Sequence, residues 1–201
     1  MVSAFRLRVP ASSANLGPGF DCLGLSLGLY HELLVERLDT RRGRVPAVQI
    51  LLQGEGCEEL STETDNEVVR ALLEVLHDKG YDGPDLRLTS RNQVPLARGL
   101  GSSAVACLAG AAAGQWLSMG AIDRHDLMER GRKREGHADN VAPCILGGIT
   151  VVGLRAIGVE CVRLEPPADM AVVLAVPDFK LSTANSRNVL PRQVSREDAV
   201  H

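Results

Sequence analysis

The run Pro95-Leu-Ala-Arg-Gly-Leu-Gly-Ser-Ser-Ala-Val105 decides the fold. Ahead of it, Leu86 and Leu88 mark a short strand; behind it, the small-residue stretch from Ser102 to Trp116 predicts a tightly packed helix. Gly99 and Gly101 permit close approach of the backbone, and the two serines stand where a helix starts, with N–H groups that lack intrahelical partners. Such a helix start, aided by its dipole, suits a phosphate. Ser102 and Ser103 add hydroxyls for phosphate or metal. The spacing is neither GxxxxGK[ST] nor GxGxxG, so neither a P-loop ATPase nor a dinucleotide-binding Rossmann fold is indicated. On spacing alone, a plain helix start after a glycine turn accounts for the same residues equally well.

Working outward, Phe5 to Val9 alternates apolar and basic residues as a half-buried strand does. Pro10 to Asp21 is a loop of small residues, and a second strand covers Leu23 to Val35. Arg41 to Pro46 is an exposed turn, after which Val48, Ile50 and Leu52 alternate into a third strand. Val68, Val69, Leu72, Leu73 and Leu76 fall at helical spacing within Thr62 to Lys79, and Gly80 ends that helix. Asp123 to Arg134 is a polar helix; Ile149 to Leu154, Val159 to Leu164 and Met170 to Val176 are strand-like. Ser195, acidic residues after it and Asp198 three positions on form the start of a capped helix.

The chain of 201 residues carries 22 Lys+Arg against 25 Asp+Glu, a net charge of −3, with 45% hydrophobic and 23% charged residues. That is the composition of a soluble globular protein with a core to bury. Six aromatic rings (Phe5, Phe20, Tyr30, Tyr81, Trp116 and Phe179) and a slightly acidic balance argue against a nucleic-acid surface. No apolar run approaches the ~18 residues of a membrane span, and Met1 to Arg6 is not a signal peptide. Cys22, Cys57, Cys107, Cys144 and Cys161 are odd in number and scattered, which points to neither a disulfide framework nor a zinc site and fits a reducing cytoplasm.

Four segments taken together carry a resemblance. Residues 10–21, with Ala11-Ser-Ser-Ala-Asn-Leu-Gly-Pro-Gly-Phe-Asp21, resemble the first motif of the GHMP small-molecule kinases, and residues 95–105 resemble their PxxxGLGSSAA ATP loop. Within that superfamily the first motif, together with His137-Ala-Asp-Asn-Val-Ala-Pro143, looks like the homoserine kinase family. Val176 to Pro191 is similar to that family's substrate-arginine segment, so the resemblance spans essentially the whole chain. It implies an α+β fold: a GHMP-kinase N-terminal domain over residues 1–165, followed over 166–201 by the start of a ferredoxin-like C-terminal domain. The implied reaction is ATP-dependent phosphorylation of the side-chain hydroxyl of L-homoserine. Two rivals are a GHMP kinase for another small alcohol and a non-catalytic nucleotide- or metabolite-binding relative.

The resemblance also assigns roles. Pro95, Leu96, Ala97, Arg98, Gly99, Leu100, Gly101, Ser102, Ser103, Ala104 and Val105 form the ATP loop, and Asn66 matches a segment near the adenine pocket, though a helix-start role explains Asn66 equally well. Ser103 and Glu135 are the implied Mg2+ ligands, with Glu129 as the alternative carboxylate. A zwitterionic substrate needs an arginine fork on its carboxylate and acceptors on its ammonium. Arg187 matches the first role; Asp21 and Asn15 suit the second or position the hydroxyl. Asn140 matches the position facing the reacting hydroxyl, and His137 is a hydrogen-bonding support. An amide takes no proton at neutral pH, so the implied chemistry rests on positioning and charge stabilisation, with Asp139 not assigned as base. Relatives are commonly dimers, so a homodimer is expected.

One departure matters: the superfamily's glycine-rich third motif has no match in this sequence. With a capped helix starting only at Ser195, this creates the expectation that the chain is C-terminally truncated. On that expectation the chain turns over far less than an uncut parent; equal activity of the two in an ADP-release assay overturns it.

Overall fold

The computed structural model describes residues 3–41, 43, 45–156, 158–180, 191 and 193–200. In chain order the elements are β1 (Ala4–Ala14), β2 (Leu23–Arg37), β3 (Val48–Gly54), α1 (Glu67–Asp78), β4 (Leu86–Asn92), α2 (Ser102–Met119), α3 (Arg124–Glu135), α4 (Val141–Leu146), β5 (Ile149–Arg155), β6 (Gly158–Leu164) and α5 (Arg196–Val200). The strands form one six-stranded sheet with β2 as its hub. Antiparallel β1 runs along β2 from Ala4 opposite Glu36 to Ala14 opposite Gly24. The far half of β2 pairs with β4, and its first residues, Leu23 to Leu25, pair with β5. Only β3 and β4 are parallel, as the crossover through α1 requires. This is the expected α+β class.

Local chemistry explains the helices. The Asn66 side chain caps α1, Oδ1 accepting from the Val68 N–H at 3.0 Å while Nδ2 donates to the Ser61 carbonyl at 2.7 Å. The helix therefore begins at Glu67 rather than at Thr62, and the preceding residues form a turn. Val68, Val69, Leu72, Val75 and Leu76 bury its apolar face. Asp123 caps α3 by accepting from the N–H groups of His125 (2.9 Å) and Asp126 (3.1 Å). Arg130 then reaches Asp126 and Asp78, and Arg134 reaches Glu67 and Glu74, tying α3 to α1 through half-exposed ion pairs.

Helix α2 is buried along most of its length because its side chains are small. At Gly110 a Cβ would stand 2.1 Å from the Val68 carbonyl oxygen, and at Gly114 it would stand 2.7 Å from Val75 Cβ. The two helices thus touch backbone to backbone along a seam that only glycine permits. Ser118 returns its hydroxyl to the Gly114 carbonyl at 2.6 Å, so this polar side chain is satisfied within the helix.

Two expectations need correction. Residues 10–21 are not all loop: β1 continues to Ala14, with a register shift between Pro10 and Ser12. Pro10 has no N–H to give the ladder, and a bulge beside a proline is the usual resolution. Met170 to Val176 forms no strand; Val173 is 93% exposed, and no neighbouring strand among the described residues offers this segment a ladder. The helix after Ser195 does form, with the Asp198 N–H donating to Ser195 Oγ at 3.1 Å.

The five cysteines are free thiols. Burial pushes Cys107 up to about 11 and Cys144 up to about 12, while Cys57, in the turn after β3, is exposed. No helix among the described residues is long and apolar enough to cross a membrane.

The α1–α2 seam is directly testable. Gly110→Ala forces a methyl against a main-chain carbonyl that cannot rotate away, so urea denaturation is expected to show a loss of about 2–3 kcal/mol. Ala111→Gly, one position along on the same buried helix, is expected to lose only about 1 kcal/mol.

Candidate active site

The loop after β4 is pinned by Asn92, which is nearly buried. Its Oδ1 accepts from the Val94 N–H at 2.9 Å, and its Nδ2 donates to the carbonyls of Val94 (3.0 Å) and Glu55 (3.1 Å). The chain then passes through three left-handed residues, Ala97 (φ 54°), Gly99 (φ 73°) and Gly101 (φ 67°), before α2 starts at Ser102. Backbone of this kind gathers N–H groups into a concavity able to take an anion. The two glycines serve different ends. A Cβ at Gly99 would meet nothing within 4 Å, whereas one at Gly101 would lie 2.4 Å from Ser12 Oγ and 3.1 Å from Asn140 Oδ1. Ala104 and Val105 are fully buried and support the loop from behind, with Leu100 beside them in the core. Pro95, Leu96 and Arg98 line a surface depression with Glu55, Glu59 and Val176.

Gly101 therefore marks a meeting point. Ser12, at the end of β1 and without exposed surface, donates its hydroxyl to Asn140 Oδ1 at 3.0 Å, and its N–H to the Leu100 carbonyl at 3.3 Å. Asn140 stands at the start of α4. On β2, a Cβ at Gly24 would come 2.0 Å from the Asp139 carbonyl oxygen, so β2 also presses on this turn through a glycine. The three sequence motifs at 10–21, 95–105 and 135–143 are thus brought into one small volume.

The loop from 15 to 21 is closed by its own polar groups. Asn15 and Asp21 are both left-handed (φ 57° and 55°), and Asn15 Oδ1 accepts from the Asp21 N–H at 2.8 Å. Across from it, Asp139 is fully buried; its Oδ1 bonds His137 Nδ1 and accepts from the Asn140 N–H at 2.9 Å. Asp139 Oδ2 has no hydrogen-bond partner among the described residues. Asp21, His137 and Asp139 each bring a ligand-capable atom within 4.8 Å of the others. Two carboxylates and an imidazole so placed suit a cation.

Beside the loop, Ser103 Oγ donates to Glu135 Oε1 at 2.7 Å, which joins the first turn of α2 to the last residue of α3. Hard oxygens at an anion-binding turn are the donor set a magnesium ion takes. Glu129, the alternative carboxylate, is engaged elsewhere: its Oε1 accepts from the Val159 N–H of β6 at 3.0 Å and its Oε2 from Arg132. The Val159 N–H, followed by Arg132, holds its carboxyl below the usual range. Residues six apart on a helix point about 120° away from each other, which is why one helix sends these two glutamates to different tasks.

A cleft of about 260 Å³ opens next to Ser102 and Ser103, lined among others by Leu52, Asn66, Glu67, Val68 and Leu96. Asn66 thus both caps α1 and borders the cleft. Two further lining residues went unnoticed in the sequence: buried His31, and Ser90, whose Oγ lies 3.0 Å from His31 Nε2. A histidine in phase with Leu33 and Val35, on the inward side of β2, was the available signal. Burial lowers the His31 pKa to about 4, so the ring is neutral. Arg187 lies outside the described residues.

Comparison with known proteins identifies relatives of the chain. Residues 66–148 match the GHMP kinases N terminal domain. The chain is 44% identical over 197 residues to a homoserine kinase of Deinococcus radiodurans, covering 98% of this chain and 62% of that protein. It is 42% identical over 205 residues to a homoserine kinase of Cutibacterium acnes, covering 100% of this chain and 68% of the relative. The chain therefore spans roughly two thirds of the length of these curated relatives. Among solved structures, homoserine kinase from Cytophaga hutchinsonii superposes with a TM-score of 0.80 at 28% identity, over 100% of this chain and 64% of that one. The L. major mevalonate kinase, at 16% identity over 80% of this chain and 53% of that one, shares the fold with a TM-score of 0.60.

His31 gives the site a pH signature. Its folded pKa of about 4 lies below the ordinary 6.5, so the unfolded chain takes up a proton first as pH falls. Its contribution is fully present above pH 6.5 and is lost on the way down to about 4. The wild type is expected to lose about 3 kcal/mol more than His31→Gln across that window, read as the difference between urea midpoints at each pH.

Proposed function

Because the chain belongs to the homoserine kinase family of GHMP kinases, we propose that the enzyme carrying it phosphorylates the side-chain hydroxyl of L-homoserine with ATP, yielding O-phospho-L-homoserine and ADP for threonine biosynthesis. The observation that carries this reading is the convergence of Ser12, Gly101 and Asn140, from three separate motifs, beside the Ser103–Glu135 pair. In this reading residues 1–165 are the N-terminal ATP-binding domain, and residues 166–201 open a ferredoxin-like C-terminal domain. The enzyme works in the cytoplasm as a homodimer.

The geometry and the motif resemblance together support a role for each part of the site. The turn through Ala97, Gly99 and Gly101 and the first N–H groups of α2 cradle the phosphates, with open space over Gly99 to receive them. The adjoining cleft, with Asn66 and Val68 on its wall, takes the nucleoside. Ser103 and Glu135 hold Mg2+, which when bound offsets charge on the phosphate oxygens. Asp21, with Asn15 shaping its loop and the His137–Asp139 pair alongside, receives the substrate ammonium. Arg187 takes the substrate carboxylate by its motif match alone. Asn140 faces the reacting hydroxyl.

In the transfer, the homoserine oxygen bonds to the γ-phosphorus as the bond from phosphorus to the β–γ bridging oxygen breaks. The hydroxyl proton passes to the phosphoryl oxygens. A loose transition state asks for alignment more than for a strong base, which suits a site whose nearest residue is an amide.

The test is ADP release by the protein expressed from its complete reading frame, with Mg-ATP and a panel of L-homoserine, L-serine, mevalonate and galactose. Homoserine-dependent release is expected; release with a different alcohol keeps the ATP loop and overturns the substrate assignments. Glu135→Gln is expected to lower kcat by about 10²-fold and raise the Mg2+ requirement. Glu129→Gln is expected to weaken the fold without changing that requirement.

A further inference from the structure

Resting on the assignment of Asn140 to the reacting hydroxyl, we propose that Ser12 is a positioning residue: its hydroxyl captures the Asn140 carbonyl oxygen, so that the amide presents its NH2 group to the substrate oxygen. Three observations carry this. Ser12 has no exposed surface, and its Oγ lies 3.0 Å from Asn140 Oδ1. The main chain at Ser12 is fixed from both sides, by the register shift after Pro10 and by the N–H bond to the Leu100 carbonyl at 3.3 Å. Gly101 closes the remaining space, since even a methyl there would stand 2.4 Å from the serine oxygen and 3.1 Å from the amide oxygen.

A serine hydroxyl can donate or accept, so proximity to an amide does not fix which end of the amide it meets. Here the Ser12 hydroxyl donates to the Asn140 carbonyl oxygen. An amide with its oxygen taken has two N–H donors left, one of which faces the substrate oxygen. Such a donor orients that oxygen and steadies the charge it gains during transfer.

The experiment measures kcat and KM for Ser12→Ala, Ser12→Thr, Asn140→Ala, the Ser12→Ala/Asn140→Ala pair and Asn140→Asp in the intact enzyme, with thermal melting as the check on folding. Ser12→Ala is expected to lower kcat about tenfold with the KM for ATP within about twofold of wild type, and Ser12→Thr to restore most of the loss. The double variant is expected to be no worse than Asn140→Ala alone, because both remove the same oriented amide. Asn140→Asp is expected to be weak at pH 8 and to recover as the pH falls, since only a protonated carboxyl offers a hydrogen. Additive losses in the double variant, a normal kcat for Ser12→Ala beside an impaired Asn140→Ala, or full activity of Asn140→Asp at pH 8 would each overturn the proposal. A normal kcat for Asn140→Ala would overturn the assignment of Asn140 and the role of Ser12 with it. If Ser12→Ala fails to fold, Ser12→Thr and Ser12→Val replace it, since they differ only in hydroxyl against methyl; equal kcat in the two overturns the proposal, and a deficit confined to valine supports it.

Discussion

Three segments of backbone close on the point where Ser12 Oγ, Gly101 Cα and Asn140 Oδ1 meet, and no methyl group fits among them. Much of the molecule is arranged to make that closeness possible. β1 carries a bulge so that Ser12 arrives there, β2 contributes Gly24 where a side chain would strike the Asp139 carbonyl, and α2 begins with a left-handed glycine. Each concession is local and small, but all are needed together. Tight interiors respond to a single added methylene, so the site is held by exclusion of volume as much as by hydrogen bonds.

The same logic extends away from the site. Because α2 presents Gly110 and Gly114 to the seam, α1 can lie against it backbone to backbone. That brings Asn66 and Glu67, at the start of α1, to the edge of the cleft that Ser102 and Ser103 border. Helix α3 acts as a strut across this pair: Arg130 and Arg134 anchor it to α1, Glu129 stitches it to β6, and Glu135 delivers a carboxylate to Ser103. The ion pairs are half-exposed and individually weak. Their value is in fixing the rotation of the helix about its axis, which decides which glutamate faces which neighbour.

Most of the fold was legible because it rests on periodicity and punctuation. Alternation marked β1 and β3, Leu86 and Leu88 marked β4, strand-like runs marked β2, β5 and β6, and Val68 to Leu76 with Gly80 marked α1. The failures share a cause. A strand at Met170 to Val176 satisfies every local rule, yet strands exist only in pairs, and pairing is not a local property. The extension of β1 through Ser12 was hidden by small residues that look like loop and acquire strand geometry only from β2. At the candidate site, Ser103, Glu135, Asn140 and Asp21 were named through the motifs that carry them. Ser12 and Ser90 were not, since a serine carries no signal of its own until its partner is known. The choice between Glu129 and Glu135 likewise needed the third dimension: both lie on one helix with no local mark to tell them apart, and only the position of β6 shows which is already engaged.

The thiols lend themselves to a different use. Cys107 and Cys144 are sealed and protonated, Cys22 and Cys161 are half-covered, and Cys57 alone is exposed. Cys57 sits in a shallow depression with Glu55, a residue that also lines the cleft beside α2. A maleimide dye therefore has one preferred point of attachment in the native chain, within a few residues of the cleft wall. The protein comes with its own reporter position, ready to register changes at that wall by fluorescence without any cysteine being added or removed.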